Sequence, residues 1–385
     1  MKLRLSSMCR ITSHFWFRLL ILLLGWRFSL FLIQLFTIRG LSIPWSVPAI
    51  AFQTFGLWDG YWHTYIARFG YDTPGLTLRF PLYPLLIRLF APVFLGSELA
   101  ASQVLSLVFF FLAMLWLYRL GIGELRSRGL AWQVLLFLLV FPTSFFFAAA
   151  YGESLFLFLT VVSFWFFRRD RFIPAGLFGG LAALTRLQGL LLFPSFLIEI
   201  AIRKRQLRRQ HLALFLIPLA LLPWCWFLWD RFGDPLLFLR DLSKWGEGPW
   251  QRERALTSPL LVLGSYFSEI PVVFRAIAGG LTPLLLVQLK ELSDLSFFLL
   301  FLFLTMVVFR RLRLSYGMYQ FLSLVMMLSV GTLKGAPRFV LVLFPSFLIL
   351  PGLLRRPWVA LLVLSLSVVV LVWFLLLFSL HFWIA

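Results

Sequence analysis

The amino-acid sequence predicts an all-α protein that crosses a membrane many times. Hydrophobic residues make up 61% of the 385 residues and charged residues only 13%, whereas a soluble domain is about half apolar and about a quarter charged. The mean hydropathy of +0.94 agrees with this bias. Apolar runs of about 20 residues, the length that spans the hydrocarbon core of a bilayer, recur along the chain. The composition therefore excludes a soluble globular enzyme.

The positions of the basic residues predict the orientation of the chain. The formal net charge is +20, and more than half of the 35 Lys and Arg residues lie in short clusters between apolar runs. Such clusters mark cytoplasmic loops and contact lipid phosphates, so we expect membrane lipids and not nucleic acid as their partners. The clusters are Lys2/Arg4/Arg10/Arg18, Arg119/Arg126/Arg128, Arg168/Arg169/Arg171, Arg203/Lys204/Arg205/Arg208/Arg209, Arg310/Arg311/Arg313 and Arg355/Arg356.

With every cluster in the cytoplasm, residues 1–385 are predicted to form a single domain with about eleven spans, a cytoplasmic N-terminus and an external C-terminus. Region 256–290 is apolar enough to hide two more spans, which raises the upper limit to about thirteen. Residues 37–96 form the first predicted external loop, and residues 230–293 form a second external region. The predicted spans are 15–36, 97–118, 130–147, 153–167, 172–184, 190–202, 211–229, 294–309, 315–331, 338–354 and 358–380.

The most polar long stretch of the chain, residues 58–84, lies in the first predicted external loop. An aromatic stripe at helical spacing predicts a helix from Asp59 to about Phe69 that lies in the membrane interface. Asp59 and His63 lie one turn apart on a neighbouring face. Asp59 is either a helix N-cap or a general base at the mouth of a membrane-embedded site. Prolines interrupt the apolar residues 80–95, which predicts a half-embedded helix. The aromatic stripe consists of Trp58, Trp62, Ile66 and Phe69.

Further polar residues gather on the predicted external side. Glu153 begins a predicted span, either as an acid favoured at a helix N-terminus or as a carboxylate that lines a cavity. Arg186 lies between two apolar runs with no acid nearby in sequence, and a buried guanidinium needs an anion such as a lipid-linked phosphate. Lys334 and Arg338 bracket another apolar interruption and invite the same interpretation. The remaining candidates for lining the site are His63, Trp58, Tyr61, Arg68, Asp72, Arg79, Tyr151 and Gln188.

Several blocks of the sequence resemble the PIG-V-type mannosyltransferases, the relatives of GPI mannosyltransferase 2. WDGYWHTYIARFGYD, followed by RFPLYPLLIRLF, is similar to the first external loop of that family. Four later blocks follow in the family's order, and the resemblance extends from about residue 55 to 350. They are FPTSFFFAAAYGESLFLFL, GLFGGLAALTRLQGLLLFP, RFGDPLLFLRDLSKWG and GAPRFVLVLFP.

The resemblance implies a GT-C-type bundle of transmembrane helices whose catalytic acid lies in the first external loop. It also implies a polyprenyl-phosphate sugar as donor, no divalent metal, and in some members a small membrane helper subunit. Asp59 matches the acid that serves as base. Arg186 and Arg338 match two arginine blocks, although Leu187 replaces the proline that follows the first arginine in the family. The chain is similar to prokaryotic members, which implies a bacterial inner membrane with the site on the periplasmic face.

Together these observations predict an inverting transfer of a hexose, with mannose favoured, to a glycan or lipid acceptor on the external membrane face. Asp59 is the expected base, and Arg186, Arg338 and Lys334 are the expected ligands of the donor phosphate. A lipid or solute transporter or flippase that uses the same embedded charges is the main alternative. An inactive subunit that only supports a partner glycosyltransferase is a third.

Overall fold

The computed structural model describes residues 13–40, 46, 49–202, 208–240, 258–278, 283–382 and 384. It confirms the predicted all-α class, since these residues form helices and short connections with no strand among them. The helices are α1 Ser13–Gly40, α2 Asp59–Phe69, α3 Leu82–Phe90, α4 Glu98–Leu125, α5 Arg128–Leu139, α6 Glu153–Phe167, α7 Phe172–Ala183, α8 Leu192–Ile202, α9 Leu216–Leu219, α10 Leu222–Phe232, α11 Leu237–Arg240, α12 Pro259–Ala278, α13 Pro283–Arg311, α14 Leu314–Ser329, α15 Ala336–Leu341, α16 Phe344–Leu353 and α17 Pro357–Ser379.

Five helical stretches in the described part of the chain are long and apolar enough to cross a membrane. Each coincides with a predicted span, and shorter apolar helices occupy most of the other predicted spans. The protein is therefore an integral membrane protein, while the number of its spans stays a prediction. The long stretches are Phe15–Gly40, Glu98–Leu125, Arg209–Phe232, Lys290–Arg311 and Pro357–Ser379.

Three predicted spans are wrong as single helices, because proline interrupts each of them. The predicted span 211–229 is divided into a 3₁₀ turn, Arg209–Phe215, and the helices α9 and α10, with Pro223 in the first turn of α10. The predicted span 338–354 is divided into α15 and α16, and α16 restarts with Pro345 in its first turn. The predicted span 130–147 ends as α5 at Leu139, and a short 3₁₀ turn, Ser144–Phe147, follows Pro142. Proline has no N–H group for the helical hydrogen bond and clashes with the preceding turn, so a helix stops or restarts there.

The helix that contains the predicted span 294–309 is longer than that span. The helix α13 begins at Pro283, and α12 covers most of the preceding apolar region. Residues 283–293 are more polar than the rest of α13, so hydropathy alone does not include them in the span. Residues 241–257 and 279–282 of the second external region lie outside the described residues.

Close packing of α7 depends on glycine. A Cβ atom at Gly180 would lie 2.8 Å from the Cβ atom of Ala220 and 2.9 Å from the carbonyl oxygen of Leu216. Real side chains do not approach backbone this closely, so the α7 surface accepts its neighbour only because it has no side chain at this position. The residues that follow α7 in the chain line the site that is described below.

Replacing Gly180 with alanine should lower the free energy of unfolding by about 1–3 kcal/mol, because the added methyl group overpacks this contact. Thermal or denaturant unfolding of the detergent-solubilised protein measures the change. Gly123→Ala, in α4, is the matched control: a Cβ atom there would meet no atom within 4 Å, so its stability should stay within about 0.5 kcal/mol of wild type. Equal stability of the two variants would contradict this account of α7.

Buried charges lie at the two opposite ends of α6. Glu153 is its first residue, and Arg168 follows its last. At the Arg168 end, the Nε atom donates to Glu124 at 2.8 Å, and Nη1 lies 3.4 Å from Glu199. The Tyr316 hydroxyl group donates to Glu124 at 3.1 Å. A 15-residue helix is about 22 Å long, so the Glu153 end is a separate polar region.

Candidate active site

The helix α2 places Asp59 at the wall of the bundle. It begins at Asp59 and ends at Phe69, as predicted. The N-cap residue is Trp58, whose φ of +57° is rare outside glycine and persists only where surrounding contacts hold it. The interpretation of Asp59 as an N-cap is wrong, because its carboxylate accepts hydrogen bonds from arginine side chains instead. At the next residue, Gly60, a Cβ atom would lie 3.3 Å from the ring of Tyr151.

The carboxylate of Asp59 lies between two guanidinium groups. Arg79, in the connection between α2 and α3, donates from Nη2 to Oδ1. Arg338, from α15, donates from Nη1 to Oδ2 at 2.6 Å. Both arginine side chains are at least nine-tenths buried. Charge-assisted hydrogen bonds of this kind are the strongest that side chains make, so Asp59 joins two elements that are distant in sequence.

Glu153 extends this arrangement into a network. It is fully buried, and its Oε1 atom accepts from Arg338 Nε at 2.6 Å and from Arg186 Nη1 at 2.5 Å. Arg338 therefore connects Asp59 to Glu153. Arg186 had no acid near it in sequence, and the structure supplies Glu153, 33 residues earlier, as its anion. The Oε2 atom of Glu153 has no hydrogen-bond partner among the described residues.

A cavity of about 200 Å³ opens beside this network. Three guanidinium groups and two carboxylates line it, which leaves one excess positive charge if His63 is neutral. Its other wall is mostly apolar. This combination of a small apolar chamber with convergent charged groups is typical of a ligand site. The lining residues are Asp59, His63, Leu78, Arg79, Phe80, Gly152, Glu153, Thr185, Arg186, Leu187, Gln188, Phe238, Met326, Val330, Arg338 and Phe339.

The other sequence candidates fall into four groups, three of which lie in or near the cavity. His63 and Gln188 line the cavity. Tyr151 lies behind it: its ring centroid is 4.7 Å from Cζ of Arg338, and its hydroxyl group donates to the Leu57 carbonyl oxygen at 2.9 Å. Lys334 lines a neighbouring, mostly apolar pocket that shares Gln188 and Phe339 with the cavity.

Four candidates lie outside the cavity, on or near the exposed surface of α2. Trp58 and Tyr61 are 37% and 54% exposed. The Arg68 side chain is 66% exposed and lies 4.0 Å from Glu98. Asp72 accepts a hydrogen bond from the Tyr65 hydroxyl group at 2.5 Å. The buried residues of the helix are Gly60, His63, Ile66 and Ala67. Of the predicted stripe, Ile66 is buried, whereas Trp58 and Phe69 are exposed.

The sequence analysis did not identify the apolar residues that line the cavity. Met326 and Val330 come from the end of α14, and Phe339 follows Arg338. Phe238 comes from the second predicted external region, residues 230–293. A single apolar residue in a largely apolar chain cannot be recognised from the sequence as part of a site. Only the position of Phe339 next to Arg338, and of Phe238 in the second predicted external region, could have suggested a role.

Burial and charge shift the protonation of the two groups on α2 that line the cavity. Burial alone would raise the pKa of Asp59, but the paired guanidinium groups of Arg79 and Arg338 outweigh it and hold that pKa well below its ordinary value. Burial and then the positive charge of Arg79 lower the pKa of His63 to about 3. At neutral pH, Asp59 is therefore ionised and His63 is neutral.

The neutral His63 predicts how stability depends on pH. The unfolded chain binds a proton at this residue below its ordinary pKa of 6.5, whereas the folded protein does so only near 3. The difference in proton binding makes the free energy of unfolding depend on pH. The contribution of neutral His63 to that free energy is complete above pH 6.5 and is lost as the pH falls from 6.5 towards 3. Between pH 7.5 and 5.0 the free energy of unfolding should fall by about 2 kcal/mol more in wild type than in His63→Asn. Unfolding curves of both proteins at the two pH values measure this difference, and parallel losses would refute it.

Comparison with known proteins gives one family match. The family model described as mannosyltransferase (PIG-V) matches residues 12–208, just over half of the chain. The matched segment contains Asp59, Arg79, Glu153 and Arg186, while Arg338 lies beyond it. No curated protein matches the chain significantly.

Proposed function

Because this chain belongs to the PIG-V mannosyltransferase family, and is therefore a membrane glycosyltransferase, we propose that it transfers mannose from a polyprenyl-phosphate donor to an acceptor hydroxyl group, with inversion at the sugar. The observation that carries this proposal is the buried network at the cavity wall. It combines the carboxylate that a base requires with an excess of guanidinium groups that suits a phosphate.

The proposed reaction moves one proton and breaks one bond. Asp59 takes the proton of the acceptor hydroxyl group, whose oxygen attacks the anomeric carbon of mannose. The bond from that carbon to the phosphate oxygen breaks, and polyprenyl phosphate leaves with the bonding electron pair. Its charge grows from about −1 to about −2, which Arg186 and Arg338 stabilise. His63 and Gln188 line the space for the sugar.

The part of the lipid that is next to the phosphate is assigned to the neighbouring apolar pocket, and the rest of the chain to the surrounding bilayer. This pocket adjoins the charged cavity and is lined by Leu324, Met327 and Leu343, which suits a hydrocarbon chain. Lys334 lines the same pocket, so it would add a positive charge on the side of the phosphate where the lipid begins. The resemblance to the family suggests that no divalent metal takes part.

We place the site on the external face of the membrane, which in a bacterium is the periplasmic face of the inner membrane. The support is the positive-inside rule. The basic cluster Arg168/Arg169/Arg171 follows the end of α6 that lies opposite Glu153. If that cluster is cytoplasmic, the cavity faces outward. Accessibility of single cysteines introduced at residues 61 and 171 to a membrane-impermeant thiol reagent tests this orientation.

The function is tested with the purified full-length protein in lipid nanodiscs. Radiolabelled polyprenyl-phosphate mannose is added with a total membrane-lipid extract from the cells that make the protein. We expect mannose in a new product and the opposite anomeric configuration in product and donor. GDP-mannose, a nucleotide sugar, should not replace the donor. Turnover of GDP-mannose, or retained configuration, would overturn the proposal.

The same assay shows whether the protein needs a helper subunit for activity. A protein that acts alone transfers mannose in the purified system, whereas one that needs a small membrane partner gains activity only when membranes from the same cells are added. Inactivity in both settings, with folded protein, would favour the scaffold subunit over the enzyme.

A further inference from the structure

The resting arrangement of Asp59 does not suit a base. A general base works best when its pKa lies near the operating pH. Here two cations hold the carboxylate in its ionised form, with Arg79 on one oxygen and Arg338 on the other. Removing a proton from an alcohol requires at least one of these contacts to weaken first.

The two arginines are anchored differently. Arg338 belongs to α15 and also donates from Nε to Glu153 at 2.6 Å, so a second carboxylate holds it in place. Arg79 belongs to the non-helical connection between α2 and α3. Its backbone is fixed, since its carbonyl oxygen accepts from the Tyr71 hydroxyl group at 2.7 Å, while its long side chain crosses to Asp59. Arg79 also lines the cavity directly.

The charges of the cavity favour an exchange of partners. The lining carries one excess positive charge when His63 is neutral, and a sugar phosphodiester carries one negative charge. A phosphate accepts the parallel N–H groups of a guanidinium as well as a carboxylate does. A bound phosphate would therefore compete with Asp59 for Arg79, which pairs with one carboxylate in the described contacts, whereas Arg338 pairs with two.

We propose that Arg79 is a ligand of the donor phosphate, and that the phosphate frees Asp59 by taking Arg79 from it. This inference rests on the proposed function. Asp59 then acts as a base only in the donor complex, because the phosphate removes one cation from its carboxylate and adds a negative charge nearby. The pKa of Asp59 rises towards its ordinary value as a result. Arg79 changes from a partner of the base to a partner of the leaving group.

Binding of a non-reactive lipid tests this exchange without catalysis. The probe is polyprenyl phosphate without a sugar, compared with polyprenol of the same length and with inorganic phosphate, in nanodiscs. Wild type should bind the lipid phosphate roughly 10-fold or more tightly than either control. Arg79→Gln should weaken that binding roughly 10-fold. The matched control is Arg68→Gln on the exposed side of α2, which should bind as wild type does.

Asp59→Asn tests whether the Asp59 carboxylate and the lipid phosphate compete for Arg79. Because it removes the internal anion that competes for Arg79, it should tighten binding of polyprenyl phosphate roughly 10-fold. Asp72→Asn, an acid outside the cavity, should change nothing. In the Arg79→Gln background, the gain from Asp59→Asn should be several-fold smaller, which shows that the two residues act through each other.

The outcomes distinguish a failure of the proposed donor from a failure of the proposed exchange of Arg79. If wild type does not prefer polyprenyl phosphate to polyprenol, or binds inorganic phosphate equally well, the lipid-phosphate donor is wrong and this inference falls with it. If wild type shows the preference but Arg79→Gln and Asp59→Asn bind as wild type does, only the exchange is wrong. Arg79→Gln leaves Asp59 paired with Arg338, so it keeps the test available if Asp59→Asn does not fold.

Discussion

Replacing Asp59 with asparagine should lower kcat by about 10²- to 10⁴-fold, the usual loss when a general base is removed. Asparagine keeps the size of the side chain and retains one oxygen that can accept from Arg338, so the loss reports the missing base. KM for the donor should not rise, since the substitution also removes an anion that competes with the phosphate. Initial rates with polyprenyl-phosphate mannose, at several donor concentrations, give both constants.

Two controls keep this result interpretable. Asp72→Asn changes an acid of the same loop that accepts only from Tyr65 in the described contacts, and it should retain wild-type turnover. A cooperative melting transition above the assay temperature shows that Asp59→Asn is folded. Undiminished kcat in folded Asp59→Asn would remove Asp59 from the chemistry, whatever its effect on donor binding.

Replacing Glu153 with glutamine should lower the free energy of unfolding by about 3–5 kcal/mol, the typical loss when one partner of a buried ion pair is removed. Glu153 is the shared anion of Arg186 and Arg338 and is fully buried. Glutamine fits the same space but leaves two guanidinium groups with one counter-ion fewer. Thermal unfolding and denaturant titration in detergent measure the loss.

A double substitution tests whether charge is the cause. Adding Arg186→Gln to Glu153→Gln removes one of the uncompensated cations, so the double variant should be more stable than the sum of the single losses predicts. Glu98→Gln is the control, because the Glu98 side chain lies 4.0 Å from the exposed Arg68 and such pairs contribute at most about 1 kcal/mol. A Glu153→Gln protein as stable as Glu98→Gln would show that the network is not a stabilising element.

Local sequence patterns were sufficient to predict α2 and the long apolar helices of this protein. The bounds of α2 follow from an acid at its start and Gly70 at its end, and both signals lie within one short segment. Long apolar runs predicted the five long membrane-crossing stretches for the same reason. Proline explains the main errors, since hydropathy does not register the missing N–H group of Pro345 that divides α15 from α16.

Partnerships between distant residues were not predictable in this way. The sequence selected Asp59, Glu153, Arg186 and Arg338 separately, but it could not show that the four are joined. Asp59 and Arg338 are 279 positions apart, and only the folding of the whole bundle brings them together. The sequence also placed Asp72 at the site because it shares a loop with Asp59, although its side chain turns to Tyr65.

The distance along the chain between the joined residues has a consequence for biosynthesis. Arg338 is translated long after Asp59 and Glu153. Until then the two acids lack the cation that connects them, so the newly made chain has no complete site. The network therefore forms only after residue 338 has been made and α15 has folded into the bundle.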